Sequence, residues 1–115
     1  MNILAIEAAT EVLSLAVGAR GVLHERSIAA GQRHAELIMG EIDALLGRAG
    51  IGLGDLHGIA FGAGPGAFTG LRIACGVAQG IAVARGLPVL GVSTLAAIAE
   101  GAGSPRVIAC LDARM

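Results

Sequence analysis

The chain has no lysine, no tryptophan and no tyrosine. Its cations are arginines, and its only aromatic rings are Phe61 and Phe68. Proteins that grip nucleic acid unaided use basic runs and stackable rings, and neither occurs here, so a stand-alone nucleic-acid binder is argued against. The formal net charge of −1 supplies no field that would gather a polyanion. Cys75 and Cys110 lack metal-ligand spacing and have no histidine beside them; they read as buried, reduced thiols. No Ser-His-Asp or Cys-His set stands out. Hydrophobic content is 55%, but the charge-free helical run Ile73 to Ala84 is far short of the about 20 residues that cross a bilayer. Met1-Asn2 leads directly into an apolar run, without the charged start of a secretory signal. A cytoplasmic protein with no membrane contact is the expectation. With 115 residues, residues 1–115 form one domain, able to bury about two thirds of its unfolded surface.

What the chain does have is glycine and small apolar residues, concentrated between Ile59 and Gly86. A short apolar run, Ile59 to Ala63, meets the loop Gly64-Pro65-Gly66-Ala67-Phe68-Thr69-Gly70, and a helical segment follows from Thr69 to Arg85. Strand, glycine loop and helix start can gather free backbone N–H groups around an anion. The loop is not a Walker A motif, because it lacks GK[ST], and GxGxxG fails as well. A tight turn at Gly64-Pro65-Gly66, with Thr69 capping the helix, is the structural alternative. Between Arg72 and Arg85 the only strongly polar side chain is Gln79. Such a helix must be covered on two sides. Gly76, Gly80 and Ala84 form one small-residue ridge, and Ala74, Ala78 and Ala82 form another. Ile73, Val77 and Ile81 lie between them. Ridges of this kind let another helix approach closely.

In chain order, Asn2 to Glu7 is an apolar strand, Ala8 to Glu11 a turn, and Val12 to Gly18 a strand with Leu13, Leu15 and Val17 on one face. After the turn Ala19-Arg20-Gly21, Val22 to Ile28 is a third strand, with the polar middle of an edge. The three make an antiparallel meander. Ala30 to Ala49 is a helix with Ala35, Ile38, Ile42, Leu45, Leu46 and Ala49 on its stripe, and Leu37 and Met39 outside it. Gly58 to Ala63, Val89 to Val92 and Arg106 to Leu111 are strands, and Ser93-Thr94 caps a third helix reaching Glu100. The order βββ-α-β-α-(β)α-β implies a five-stranded mixed α/β sheet with packed helices. The halt after a strand reads as a truncated chain or one lobe of a longer protein.

Four segments carry a resemblance: ILAIEAATE at 3–11, GPGAFTGLRI at 64–73, LPVLGVSTL at 87–95 and DARM at 112–115. Together they resemble the TsaB family of bacterial tRNA threonylcarbamoyladenosine biosynthesis proteins, also described as glycoprotease-like. The resemblance runs the length of the chain and implies the N-terminal lobe of an actin-like, sugar-kinase-like ATPase fold, with a C-terminal lobe absent. In active members of that superfamily the turn after the first strand holds phosphate through an Asp, a Gly and a Thr. Here it reads Glu7-Ala8-Ala9-Thr10, so the resemblance implies a degenerate turn in which Glu7 and Thr10 are the candidate cofactor contacts. ATP or ADP is then expected only within a complex, and no cofactor on this chain alone. The related catalytic protein TsaD carries an HxxxH metal pair, and the matching positions here are Thr94 and Ile98, so no metal is expected.

The resemblance further implies a non-catalytic partner that docks TsaD helix against helix, with TsaE as a third component and tRNA reached through the complex. Self-pairing through the same helices is the companion expectation. The expected interface comprises Leu37, Ile73, Ala74, Val77, Ala78, Gly80, Ile81 and Ala84. The competing class is an enzyme, either a degenerate kinase-type ATPase or a glycoprotease-like hydrolase. His34 reads as an exposed or helix-terminal hydrogen-bonding group, with a metal or acid–base role as the alternative. Asp112 and Arg114 read either as a local ion pair or as residues of an inter-lobe cleft.

Overall fold

The computed structural model describes residues 1–101 and 103. Strands β1 (Ile3–Glu7), β2 (Val12–Ala19) and β3 (Val22–Ala29) come first, then α1 (His34–Ala49), β4 (Gly58–Gly62), α2 (Phe68–Arg85), β5 (Val89–Val92) and α3 (Thr94–Gly101). The sheet order is β3-β2-β1-β4-β5. β1, β2 and β3 pair antiparallel, while β4 and β5 run parallel to β1. This is the expected five-stranded mixed sheet of an actin-like lobe. Val89–Val92 supplies its fifth strand; the expected strand Arg106–Leu111, with Cys110, Asp112 and Arg114, lies outside the described residues.

The hairpin between β2 and β3 turns through Arg20 (φ 54) and Gly21 (φ 75). Two consecutive left-handed residues match the twist of the flanking strands, so the pairing registers without slippage. Leu4, Ile6, Leu13, Leu15 and Val17 point to one face of the sheet and are sealed by Ile38, Ile42, Leu45, Ala74 and Ala78. Both long helices therefore lie on that face. Each ends at a left-handed glycine, Gly50 and Gly86. The following N–H then reaches back, Ile51 to the Leu46 carbonyl and Leu87 to the Ala82 carbonyl.

Two helix starts differ from the sequence expectation. α1 begins at His34 rather than Ala30, because the N–H groups of Ala30 and Gly31 both donate to the Glu11 carbonyl. Gly31 also takes a left-handed φ of 59°, which a helix cannot contain. α2 begins at Phe68 with Ala67 as its N-cap and no capping side chain, so Thr69 sits inside the first turn. The expected cap on α3 is present: the Ala96 N–H donates to Ser93 Oγ at 3.2 Å. The edge strand is tied down by Arg26, whose guanidinium pairs with Glu41 of α1. The hydrogen bond and the charge of Glu41 hold the Arg26 pKa above its ordinary value.

Ile42, fully buried at the centre of α1, tests the placement of the core. Ile42→Ala should cost about 2–5 kcal/mol in urea unfolding, through lost transfer energy and the cavity left behind. Ala35→Ser, on the exposed first turn, should shift the midpoint little, since surface changes stay within about 0.5 kcal/mol.

Candidate functional site

The turn at the end of β1 is enclosed by the glycine loop. A side chain at Gly70 would place its Cβ 2.0 Å from the Ala8 carbonyl oxygen, and one at Gly66 would stand 2.5 Å from the Ala9 Cβ. The Ala67 N–H donates to the Ala9 carbonyl at 2.7 Å. Gly66 and Gly70 thus permit backbone-to-backbone packing, a role beyond the expected tight turn, whose Thr69 cap is not formed.

Glu7 and Thr10 leave that turn in different directions. Glu7 lies across the backbone of Gly62, in the space a Cβ would need, and its Oε1 accepts a 2.7 Å hydrogen bond from the Thr94 hydroxyl. It faces a hollow on the sheet side away from α1 and α2, together with Ser14, Ser27 and Glu25. Thr10 instead borders a cleft with His34, Thr69 and Gly70, between the starts of the two long helices. Its hydroxyl accepts from the Val12 N–H, and its carbonyl accepts 2.9 Å from His34 Nε2. His34 is buried rather than exposed, and the bond assigns its Nε2 as the protonated nitrogen. The two expected phosphate contacts are therefore not brought together by the fold. Among the described residues no three His, Cys, Asp or Glu side chains are grouped to hold a metal.

The expected docking residues divide into two sets. Ala74 and Ala78 are fully buried and Ile81 is 8% exposed, all in the core beneath α2. This corrects the expectation for the alanine ridge: its methyl-sized side chains seat α2 on its own sheet and offer nothing outward. Gly80 and Ala84 are exposed, while Ile73 and Val77 are half-buried on the α1 side. Leu37 is half-buried against the core. Met39, Leu53, Val77, Gly80, Ile81 and Ala84 line a shallow apolar groove of about 340 Å³ between the helices. Nothing lies within 4 Å of where a Cβ would stand at Gly76 or Gly80. Val83, 84% exposed, and Met39 flank this surface. Val83 was missed because it falls on neither ridge, although its valine side chain opposite the alanine ridge was a legible signal.

The sheet order defines the class: an actin-like lobe, whose first turn is packed under the glycine loop. The family model described as "TsaD: tRNA N6-adenosine threonylcarbamoyltransferase" matches residues 15–115. The tRNA threonylcarbamoyladenosine biosynthesis protein TsaB of Escherichia coli is 42% identical, over all of this chain and 52% of that protein. The protein of the same name from Haemophilus influenzae is 39% identical, over all of this chain and 50% of its own length. Among solved structures, YeaZ from Pseudomonas aeruginosa superposes with a TM-score of 0.95 at 43% identity, covering 99% of this chain and 55% of that one. The chain belongs to the TsaB family, within the group that the TsaD model describes. It spans about half the length of the curated relatives it matches.

Gly70 gives the sharpest test of the enclosed turn. Gly70→Ala must push the loop off the Ala8 carbonyl and should destabilise by about 1–3 kcal/mol, as overpacking does. Thermal unfolding of the variant checks it. An unchanged melting temperature would show that the loop does not rest on the turn.

Proposed function

We propose that this chain is the N-terminal lobe of a non-catalytic partner subunit. It docks on TsaD through the outward face of α1 and α2, and so serves threonylcarbamoyl transfer to the adenosine beside the anticodon of tRNA. In this reading the metal and the transfer chemistry belong to TsaD, nucleotide turnover is shared with TsaE, and tRNA meets the assembly rather than this lobe alone. The place of action is the cytoplasm, in keeping with the absence, among the described residues, of any helix long and apolar enough to cross a membrane.

One observation carries the reading: an exposed apolar strip on α2 whose glycines have no internal reason to be glycine. A glycine in a helix interior costs about 0.5–1 kcal/mol relative to alanine. Gly76 and Gly80 both stand in helical positions with open space where a side chain would go. A close-packed helix from outside supplies the missing reason. Val83 and Met39 then bury against that helix, whereas on a lone lobe they would leave an apolar patch in water. The enzyme reading has less support: Glu7 is engaged by Thr94 and the turn beside it is packed under the glycine loop.

Molar mass in solution, for the chain alone and mixed with a TsaD homologue, is the direct test. The chain alone is expected to dimerise, and the dimer to convert to a one-to-one heteromer when TsaD is added. A monomer indifferent to TsaD sinks the proposal. The glycines permit a finer test with opposite signs. Gly80→Ala should stabilise the isolated chain by about 0.5–1 kcal/mol while weakening association. Gly80→Leu should abolish association in a chain that still folds. Normal pairing by a folded Gly80→Leu chain would remove Gly80 from the interface.

A further inference from the structure

We propose that Thr94 is a positioning residue that couples α3 to the loop carrying α2, with Glu7 as its fixed point. The side chain is 3% exposed and stands at the first position of α3. A hydroxyl has one proton to give and lone pairs to receive. Here the proton goes to Glu7 Oε1 at 2.7 Å, and a lone pair receives the Gly64 N–H at 3.3 Å. The Thr94 N–H in turn donates to the Gly64 carbonyl at 2.8 Å. One residue of α3 therefore bonds both the end of β1 and the first residue of the glycine loop, although Glu7 and Thr94 are 87 positions apart.

Glu7 can serve as the fixed point because it has little freedom of its own. Its carboxylate rests on Gly62, with Oε2 1.6 Å from where a Cβ would be. Its backbone is held in the sheet opposite Ser14. A bond to a charged acceptor is among the stronger hydrogen bonds. The backbone on either side of Gly64 is bonded as well. The Ala63 N–H donates to the Val92 carbonyl, Ala67 to Ala9, and Leu71 to Ala67 in the first turn of α2. The Gly64 end of the loop that leads into α2 is thus tied to a hydroxyl in α3, while Ala67 and Gly70 hold its other end. A consequence for partner binding rests on the docking reading above; the coupling itself does not.

The test uses the whole chain and two readouts: amide hydrogen exchange followed by NMR, and affinity for a TsaD homologue. Thr94→Val keeps the shape and removes the hydroxyl, Thr94→Ser restores it, and Glu7→Gln keeps an acceptor oxygen. In Thr94→Val, exchange at Ala67 and Leu71 should quicken about tenfold while β2 amides keep their rates, the signature of a local opening. Thr94→Ser and Glu7→Gln should stay close to the parent chain. Unchanged exchange at Ala67 and Leu71, or equal acceleration everywhere, overturns the coupling. Should Thr94→Val fail to fold, Glu7→Ala removes the acceptor alone and is read in the same way. Local opening with unaltered TsaD affinity upholds the coupling and counts against the docking reading. A parent chain that ignores TsaD sinks the docking reading alone, and the exchange result still decides the coupling.

Discussion

The contact on which the rest of this lobe depends is the one between the Gly70 backbone and the Ala8 carbonyl. No side chain of any size fits between them. That approach brings the first turn of α2 down onto the turn after β1, and helix geometry then fixes the rest of α2. Positions spaced by four from Gly70, namely Ala74, Ala78 and Ala82, fall on the sheet and are buried. Gly76, Gly80 and Val83 are carried to the opposite side. A single steric requirement at the helix start therefore decides which ridge is core and which faces outward. Larger residues at 74 and 78 would lift the helix and open the contact at its start.

Much of this was legible in the sequence, and the legible parts share a physical character. The meander, the helices ended by glycine and the parallel β4 follow from periodicity and turn chemistry within a few neighbouring residues. The features that escaped are set by distant partners. Helix α1 starts late because Ala30 and Gly31 give their N–H groups to Glu11, across the meander. Thr69 is no cap because the helix start is fixed by Ala67 bonding to Ala9. Of the two readings of His34, exposed or helix-terminal and hydrogen-bonding, the second holds, because its partner is the distant Thr10 carbonyl and the ring is buried. The Thr94 bond to Glu7 had no local signature at all.

The two candidate sites were legible to different degrees for a related reason. An apolar helix that must be covered twice can be recognised from composition alone, so the existence of an outward face was predictable. Which residues form it was not. The two ridges differ by one methyl group at two of their three positions, and only the packed sheet separates them. The phosphate turn was judged from the replacement of glycine by Ala9. That Glu7 and Thr10 border different hollows is a matter of the packed fold, which no sequence pattern carries.

These two outcomes are linked mechanically. A turn that binds phosphate must leave its backbone open for a ligand to approach. Here the glycine loop occupies that approach, with Gly66 against Ala9 and Ala67 bonded to its carbonyl. The same loop seats α2 so that its glycines point into solvent. Opening the turn for a nucleotide would withdraw the support beneath the first turn of α2 and disturb the face proposed for docking. On this geometry an open phosphate turn and a fixed α2 face compete for one loop, and the packing against Ala8 and Ala9 favours the fixed face.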